Sequence, residues 1–291
     1  DLSGSEKTLD EKTNGVVPVV GVGASAGGLK AYSTLLDAMP ADSGAAFIFV
    51  HHVDPDHKSL MADILANRTE MPVVLAEDQS VVQANHVYVI PPNKFIEIAD
   101  GVLKLSEPKD RRGARMPIDV FLRSLAKDLS HHAIAVIMSG TGSDGSAAIR
   151  EIKDNGGIVL VQEPSEAEHD GMPRSAVATL AADHVVAIAK MPEIIANYVQ
   201  HISSQKGFVK KALGEKAKGS LAEIINVLKT HSAINFDLYK EGTLLRRIER
   251  RMALRHMESS GDYLALLKDS AEEARCLCSD LLISVTSFFR D

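Results

Sequence analysis

The chain has 291 residues, of which 45% are hydrophobic, and a formal net charge of -7. This length predicts about two domains with a sizeable core, and the acidic balance argues against a protein directed as a whole to nucleic acid. Two cysteines, Cys276 and Cys278, lie too close in sequence for an ordinary structural disulfide. Since the sequence also shows neither a signal-peptide pattern nor a long apolar run, we expect a cytoplasmic chain without direct membrane insertion.

A serine inside a glycine-flanked turn is the most informative local pattern. Residues 16–20 predict a buried strand, and residues 29–39 have the hydrophobic spacing of a helix. Between them, Gly23, Ser25 and Gly27 match G-x-S-x-G. This pattern is typical of a nucleophile elbow, in which a tight turn exposes the serine hydroxyl above the sheet.

The residues of this turn leave two other interpretations open. Gly21-x-Gly23 after a strand also resembles half of a dinucleotide fingerprint, so a phosphate-binding loop is an equal alternative at this point. Ser25 is also explained as a helix N-cap, the commonest role of a serine at such a boundary. Other segments of the chain are needed to choose among these three interpretations.

Two further predicted strands carry polar residues where they end. Residues 47–50 form the first strand and run into a pair of histidines. Residues 133–138 form the second, followed by S-G-T-G-S-D-G, which contains Asp144. Because the carboxyl ends of strands in an open parallel sheet converge on one crevice, we expect Ser25, a histidine and Asp144 to meet there.

Each of these polar residues has a simpler explanation when it is taken alone. An isolated histidine pair at a strand end is most simply without function, and Asp144 is explained as a cap of the helix that follows it. A zinc site is a weaker explanation, because its spacing matches no ordinary ligand pattern and the cysteines lie far away. Its ligands would be His51, His52, Asp56 and His57. We therefore predict no metal.

Strands and helices alternate along the first part of the chain. A helix over residues 59–67 is predicted to turn Leu60, Ile64 and Leu65 inward. Short alternating segments between residues 85 and 105 predict a small antiparallel hairpin region. The expected fold is α/β, a doubly wound, mostly parallel sheet with this hairpin region, followed by a small all-α domain.

The predicted domain boundaries follow changes in composition. Residues 1–15 are polar and begin without methionine, which predicts a linker or disordered segment within a longer protein. Residues 16–200 form the first domain. Residues 201–219 are polar and rich in lysine, as interdomain connectors are, and residues 220–291 form the helical domain.

Four motifs give residues 16–200 a family resemblance. The stretches GASAGG, VHHVDPDH, SGTGSDG and DGMPRSA resemble the catalytic domain of the chemotaxis methylesterases, the CheB family. The resemblance implies a serine hydrolase that demethylates glutamyl methyl esters of methyl-accepting chemotaxis receptors and that also deamidates glutamine. It implies Ser25 as nucleophile, His52 as general base and Asp144 as triad acid. His52 is preferred to His51 because the family motif places the catalytic histidine directly before a hydrophobic residue.

Further roles follow from the same resemblance. The backbone amides of Ala26 and Thr141 match the oxyanion-hole positions, and Met172 and Arg174 are expected to line the cleft. The esterase is expected to need no cofactor. One departure is Ala26 itself, because the family commonly has a hydroxyl residue directly after the nucleophile. A backbone donor survives that change, but turnover below the family norm is expected.

Residues 224–291 resemble the N-terminal helical domain of the chemotaxis receptor methyltransferases, the CheR family. The motifs are FDLYK, LLRRIERRM and TSFFRD. The resemblance implies a parent protein that fuses the two enzymes, of which this chain holds the esterase and the opening helices of the methyltransferase. Thr286 and Arg290 match positions that contact the cofactor in complete enzymes. S-adenosylmethionine is therefore expected only in the full-length parent.

An arginine-rich helix in this second region carries the last prediction. Arg247, Arg251 and Arg255 recur at i, i+4 and i+8, and we predict that they contact the glutamate-bearing helices of a receptor. A solvated face is the simpler explanation. Nucleic-acid binding is disfavoured, because the flanking sequence is acidic and lacks an aromatic stacking platform. For the whole chain, the alternative to an enzyme is a catalytically weak regulatory or receptor-docking module.

Overall fold

The computed structural model describes residues 15–51, 60–108, 115–204, 215–232, 234, 236, 239, 241–255, 257 and 259–283. The chain divides into two compact units, residues 1–199 and residues 200–291. Among the described residues, no helix combines the length and the hydrophobicity that crossing a bilayer requires.

The first unit is built from short strands and helices in alternation. The strands are β1 (Val19–Ala24), β2 (Ala46–His51), β3 (Val73–Leu75), β4 (Val87–Val89), β5 (Phe95–Ala99), β6 (Val102–Ser106), β7 (Ala133–Ile137), β8 (Ile158–Gln162) and β9 (His184–Val186). The helices are α1 (Gly28–Ala38), α2 (Met61–Ala66), α3 (Pro117–Leu129), α4 (Ile149–Asp154), α5 (Gly171–Ala178) and α6 (Met191–Ser204).

Within the described residues, the main sheet has seven parallel strands in the order β3-β4-β2-β1-β7-β8-β9. The chain leaves β1 toward β2 on one side and returns to β7 on the other, so β1 and β7 border the point where the strand order reverses. The α/β, doubly wound prediction is confirmed. In such sheets, ligands bind at the carboxyl ends of the strands beside that point.

Both faces of the sheet are covered, which explains why its strands are apolar without interruption. Ile48 and Val50 belong to the core cluster that contains Phe121 of α3. On alternate positions, Phe49 faces the other way, with its ring 4.5 Å from the ring of Tyr32 on α1. Strands buried on both faces are typical of parallel sheets.

Two predictions about the first unit need correction. Residues 87–89 do not join the hairpin of β5 and β6, because β4 pairs in parallel with β2 and β3. Only Leu65 of the second predicted helix is buried, whereas Leu60 is 65% and Ile64 is 38% exposed. The physical reason is length: α2 has six residues, and a helix that short turns little of its surface toward the sheet.

The described helices of the second unit pack around one apolar cluster. They are α7 (Glu215–His231), α8 (Glu241–Leu254), α9 (Ser260–Asp269) and α10 (Ala271–Ile283). The cluster contains Leu244, Ile248 and Met252 of α8. Because α6 runs to Ser204 and α7 begins at Glu215, both ends of the predicted linker at 201–219 are helical.

The prediction of an exposed arginine face on α8 is wrong for two of its three residues. Arg247 is 1% and Arg251 is 8% exposed. Arg251 donates to Glu273 of α10 at 2.8 Å and 2.6 Å, and Arg255 donates to the same carboxylate at 2.6 Å. The physical reason is that Glu273 is fully buried and requires cationic partners, which α8 supplies. Arg247 and Arg251 therefore lie inside the helical unit and do not form an open recognition surface, whereas receptor contact by Arg255 stays a prediction.

Candidate active site

Ser25 lies in the turn that joins β1 to α1. Gly27 adopts a left-handed conformation with φ 74, and the N–H of Gly28 donates to the carbonyl of Ser25 at 2.8 Å. Gly27, not Ser25, is the N-cap of α1, and no side-chain capping bond is present there. The N-cap interpretation of Ser25 is therefore wrong. Its partly exposed side chain lines an open cleft of about 670 Å³.

The loop after β7 lies against this turn. The N–H of Ser25 donates to the carbonyl of Ser139 at 2.9 Å. The approach depends on Gly140, because a Cβ atom there would stand 3.0 Å from the Ser25 Cβ and would collide with the Met172 sulfur. A larger residue at position 140 would push the Ser25 turn away from the β7 loop.

Asp144 is anchored at the start of α3. Its side chain is buried, with the residue 1% exposed. Its two carboxylate oxygens accept backbone N–H groups of Ile118 at 3.1 Å and Asp119 at 3.0 Å. Helix N-termini favour negative charge, so the start of α3 is a suitable anchor for a carboxylate. The predicted capping of the following helix is made by Asp119 instead, which accepts from Ala148 at 2.9 Å.

The histidines of the site are described only in part. His51 is the last residue of β2, is 7% exposed and is paired in register with Ala24, which precedes Ser25. The hydroxyl of Tyr32 donates to the carbonyl of Val50 at 2.8 Å and so fixes the end of this strand. His52 lies outside the described residues. Its role as base stays a prediction.

Two backbone amides of these adjoining segments are unused. In the hydrogen bonds of the described residues, neither the N–H of Ala26 nor that of Thr141 has an acceptor. Ala26 follows Ser25, and Thr141 belongs to the loop after β7, in which the Ser139 carbonyl accepts from Ser25. Unused amides on adjoining loops are the donors that an oxyanion hole requires.

The site opens through two clefts that meet at His51. The cleft that Ser25 lines is bordered by Leu29 and Lys30 of α1 and by Ile64 of α2. The other, of about 550 Å³, is lined by Thr141 and Asp144. A substrate side chain can thus reach Ser25 from the surface of α1 and α2.

Two predicted cleft residues have other roles. Met172 is fully buried in the core cluster behind Gly140, so its side chain does not form a wall of the cleft. Arg174 is exposed and pairs with Asp170 at 2.5 Å along α5. Its guanidinium lines neither of the two clefts. The family motif indicated that this segment lies near the site, but the segment contacts the β7 loop through the backbone N–H of Met172, which donates to the carbonyl of Gly140.

Two other sets of predicted residues fall partly or wholly outside the described part of the chain. Thr286 and Arg290, matched to a cofactor site, lie beyond residue 283. Of the weaker zinc alternative, only His51 is described, and no group of metal-binding side chains occurs among the described residues. The cofactor contacts of Thr286 and Arg290 and the expectation of no metal therefore stay predictions.

Comparison with known proteins separates the chain into the same two regions. Residues 20–195 match the family model described as CheB methylesterase. The chain belongs to the CheB methylesterase family. Residues 220–282 match the all-alpha domain of CheR methyltransferase. The recognition of both families from sequence motifs is confirmed.

Individual relatives agree with this assignment. The chain is 31% identical over 186 residues to a putative protein-glutamate methylesterase/protein-glutamine glutaminase of Leptospira interrogans, covering 64% of this chain and 96% of that protein. It is 37% identical to an uncharacterized 104.1 kDa protein of Rhodobacter capsulatus, in an alignment of 251 residues that covers 79% of this chain. The match spans 26% of the Rhodobacter protein.

A solved structure has the same fold in the first unit. The CheB methylesterase catalytic domain of Thermotoga maritima superposes with a TM-score of 0.58 at 26% sequence identity. The match covers 62% of this chain and 98% of the Thermotoga chain.

Proposed function

We propose that this chain is a serine esterase that hydrolyses glutamyl methyl esters of methyl-accepting chemotaxis receptors and deamidates receptor glutamines at the same site. The observation that carries the proposal is the meeting of the Ser25 turn and the β7 loop at the switch point, where the backbone N–H groups of Ala26 and Thr141 have no acceptor among the described residues. Family membership and the names of the relatives support the substrate class.

The chemistry runs through two half-reactions. The Ser25 oxygen attacks the ester carbonyl carbon while the His52 imidazole accepts the hydroxyl proton, and the carbonyl oxygen becomes an anion held by the two amides. The C–O bond to methoxide then breaks, and the imidazolium returns the proton so that methanol leaves. Water repeats the sequence on the acyl-enzyme and releases glutamate.

Asp144 supports the base during both half-reactions. Its carboxylate orients the neutral imidazole and stabilises the imidazolium. A glutamine side chain follows the same route with ammonia as the leaving group. The chemistry needs only protein groups and water. We propose a role for S-adenosylmethionine only in a longer parent protein.

The competing proposal, a docking module with weak turnover, depends on Ala26. Its methyl side chain cannot donate a hydrogen bond, but the backbone N–H that the mechanism uses is present. The enzyme is therefore favoured. We place its action in the cytoplasm, where the free thiols of Cys276 and Cys278 stay reduced.

The proposal is tested by Ser25→Ala. Loss of the hydroxyl removes the covalent path, so methanol release from a methylated receptor should fall by about 10⁴ to 10⁶ with the melting temperature unchanged. Ser33→Ala, at another serine of the same cleft, is the matched control and should retain activity. Methanol release by Ser25→Ala near the rate of the unaltered protein would exclude Ser25 as nucleophile.

A further inference from the structure

We propose that Ser139 is a positioning residue whose hydroxyl sets the geometry of the oxyanion hole. The inference rests on the proposed esterase function. Ser139 follows β7 and is 1% exposed, so its hydroxyl does not contact substrate. The motif SGTGSDG singled out the loop in which it lies, but not this residue.

Ser139 joins three segments of the chain. Its backbone carbonyl accepts from Ser25 at 2.9 Å, and its backbone N–H donates to the side-chain oxygen of Gln162, at the end of β8, at 2.8 Å. Its hydroxyl donates to the carbonyl of Ala26 at 2.9 Å and accepts from the N–H of His169 at 3.0 Å. The carbonyl of His169 is a second, longer acceptor at 3.4 Å.

The first bond of the hydroxyl fixes the nucleophile side of the hole. The N–H of Ala26 belongs to the peptide whose carbonyl, that of Ser25, accepts from Gly28 at 2.8 Å. The next peptide carries the Ala26 carbonyl, which the Ser139 hydroxyl holds. With both peptides beside the Ala26 Cα pinned, the direction of its N–H is set.

The second bond fixes the opposite side. The N–H of Thr141 belongs to the peptide whose carbonyl, that of Gly140, accepts from the Met172 N–H at 2.9 Å. Gly140 in turn donates to the His169 carbonyl at 2.9 Å. Because the Ser139 hydroxyl accepts from His169, it ties the segment that orients Thr141 to the turn that orients Ala26.

This arrangement has a kinetic consequence. An oxyanion-hole donor acts on charge that develops in the transition state, and removal of one donor costs about 10² to 10³ in kcat. Misdirection of two donors should act on the same quantity. Since Ser139 is 1% exposed and lines neither of the two clefts, substrate binding in the ground state should not change.

The test is Ser139→Ala in the full chain, with methanol release from a methylated receptor as the measurement. We expect kcat to fall by about 10- to 100-fold with KM within about twofold. Ser139→Thr keeps a hydroxyl and should restore most of the lost kcat. Ser146→Ala is the matched control, because Ser146 is also buried after β7 and its hydroxyl has no hydrogen-bond partner among the described residues.

A second substrate separates this proposal from the proposed function. Hydrolysis of p-nitrophenyl acetate, corrected for the rate left in Ser25→Ala, needs the oxyanion hole but no receptor. The same loss of kcat in Ser139→Ala on this ester supports the proposal even if receptor demethylation is not found. A kcat within about twofold of the unaltered protein on both esters, or a loss that appears in KM alone, would overturn it. Melting curves measured in parallel ensure that all rates refer to folded protein.

Discussion

Buried carboxylates are held by different means at the starts of α3 and α4 in the first unit and in the second unit. At these helix starts, the carboxylates of Asp144 and Asp119 accept backbone N–H groups. In the second unit, the buried carboxylate of Asp280 accepts from Arg250 at 2.7 Å, and that of Glu273 accepts from Arg251 at 2.6 Å and 2.8 Å. The helix starts use partial charges of the backbone, and the second unit uses full opposite charges.

The difference separates residues available for chemistry from residues used in packing. Backbone N–H groups hold a carboxylate in place without cancelling its charge, so Asp144 can still stabilise a cation such as an imidazolium. A carboxylate bonded to a guanidinium has its charge compensated already. In the first unit too, a carboxylate paired with a full opposite charge lies away from Ser25. The buried pair of Lys153 and Asp183 is near the amino ends of β8 and β9.

Asp144→Asn should show the largest effect on this comparison. An amide keeps one acceptor oxygen but turns an NH₂ group toward a backbone N–H of α3, and it favours the wrong tautomer of the base. We expect methanol release to fall by about 10³ to 10⁴ and the free energy of unfolding to fall by about 1–2 kcal/mol. Steady-state kinetics and urea unfolding of the same sample measure both quantities.

Asp119→Asn is the matched control for this variant. Asp119 also accepts a buried backbone N–H, that of Ala148, but lines neither cleft. Burial raises the pKa of Asp119, and the neighbouring charge of Asp144 raises it further. A neutral side chain should therefore be tolerated there, with activity within about threefold of the unaltered protein. Equal losses of activity in both variants would mean that Asp144 acts only by capping α3.

Glu273→Ala tests the other half of the comparison. Burial alone would raise the pKa of Glu273, but the hydrogen bonds and charges of Arg251 and Arg255 outweigh it, so that its pKa lies below its ordinary value. Removal of the carboxylate leaves Arg251 buried without this partner. We expect the helical unit to lose about 3–5 kcal/mol in free energy of unfolding, measured by circular dichroism. Methanol release by the first unit should not change.

A partly exposed arginine gives the control within the same ion-pair network. Arg255 bonds the same carboxylate, but its side chain is 44% exposed. Arg255→Ala should therefore cost less than about 1 kcal/mol. A loss as large as that of Glu273→Ala would mean that burial does not decide the contribution of these pairs.

The candidate site could be predicted where its signals are local in sequence. The strand, the glycine turn and the helix around Ser25 each depend on adjacent residues, and the rule for strand ends brought in Asp144. The role of Ser139 could not be predicted, since its partners Ala26 and His169 are distant in sequence and the contacts are made through backbone atoms. The burial of Arg251 was missed for a related reason. The pattern of one helix does not show which carboxylate on another helix it meets.

His132 in the first unit is a partly buried side chain whose charge has no opposite charge beside it, among the described residues, to compensate its burial, so that burial favours its neutral form. Burial, together with the charge of His131 at a ring separation of 4.1 Å, lowers the pKa of His132 from 6.5 to about 4. Below pH 6.5, His132 therefore binds a proton in the unfolded chain, whereas in the folded chain it binds that proton only near pH 4. Stability from this group is complete above pH 6.5 and is lost as the pH falls toward 4.

Between neutral pH and pH 4, the free energy of unfolding should fall by on the order of 2 kcal/mol less in His132→Gln than in the unaltered protein. The urea midpoint of this variant should therefore depend less on pH. His131→Gln should flatten it only in part, because it removes the neighbouring charge and leaves His132 buried. If His132→Gln unfolds with the same pH dependence as the unaltered protein, burial of His132 does not contribute to the acid sensitivity of the first unit.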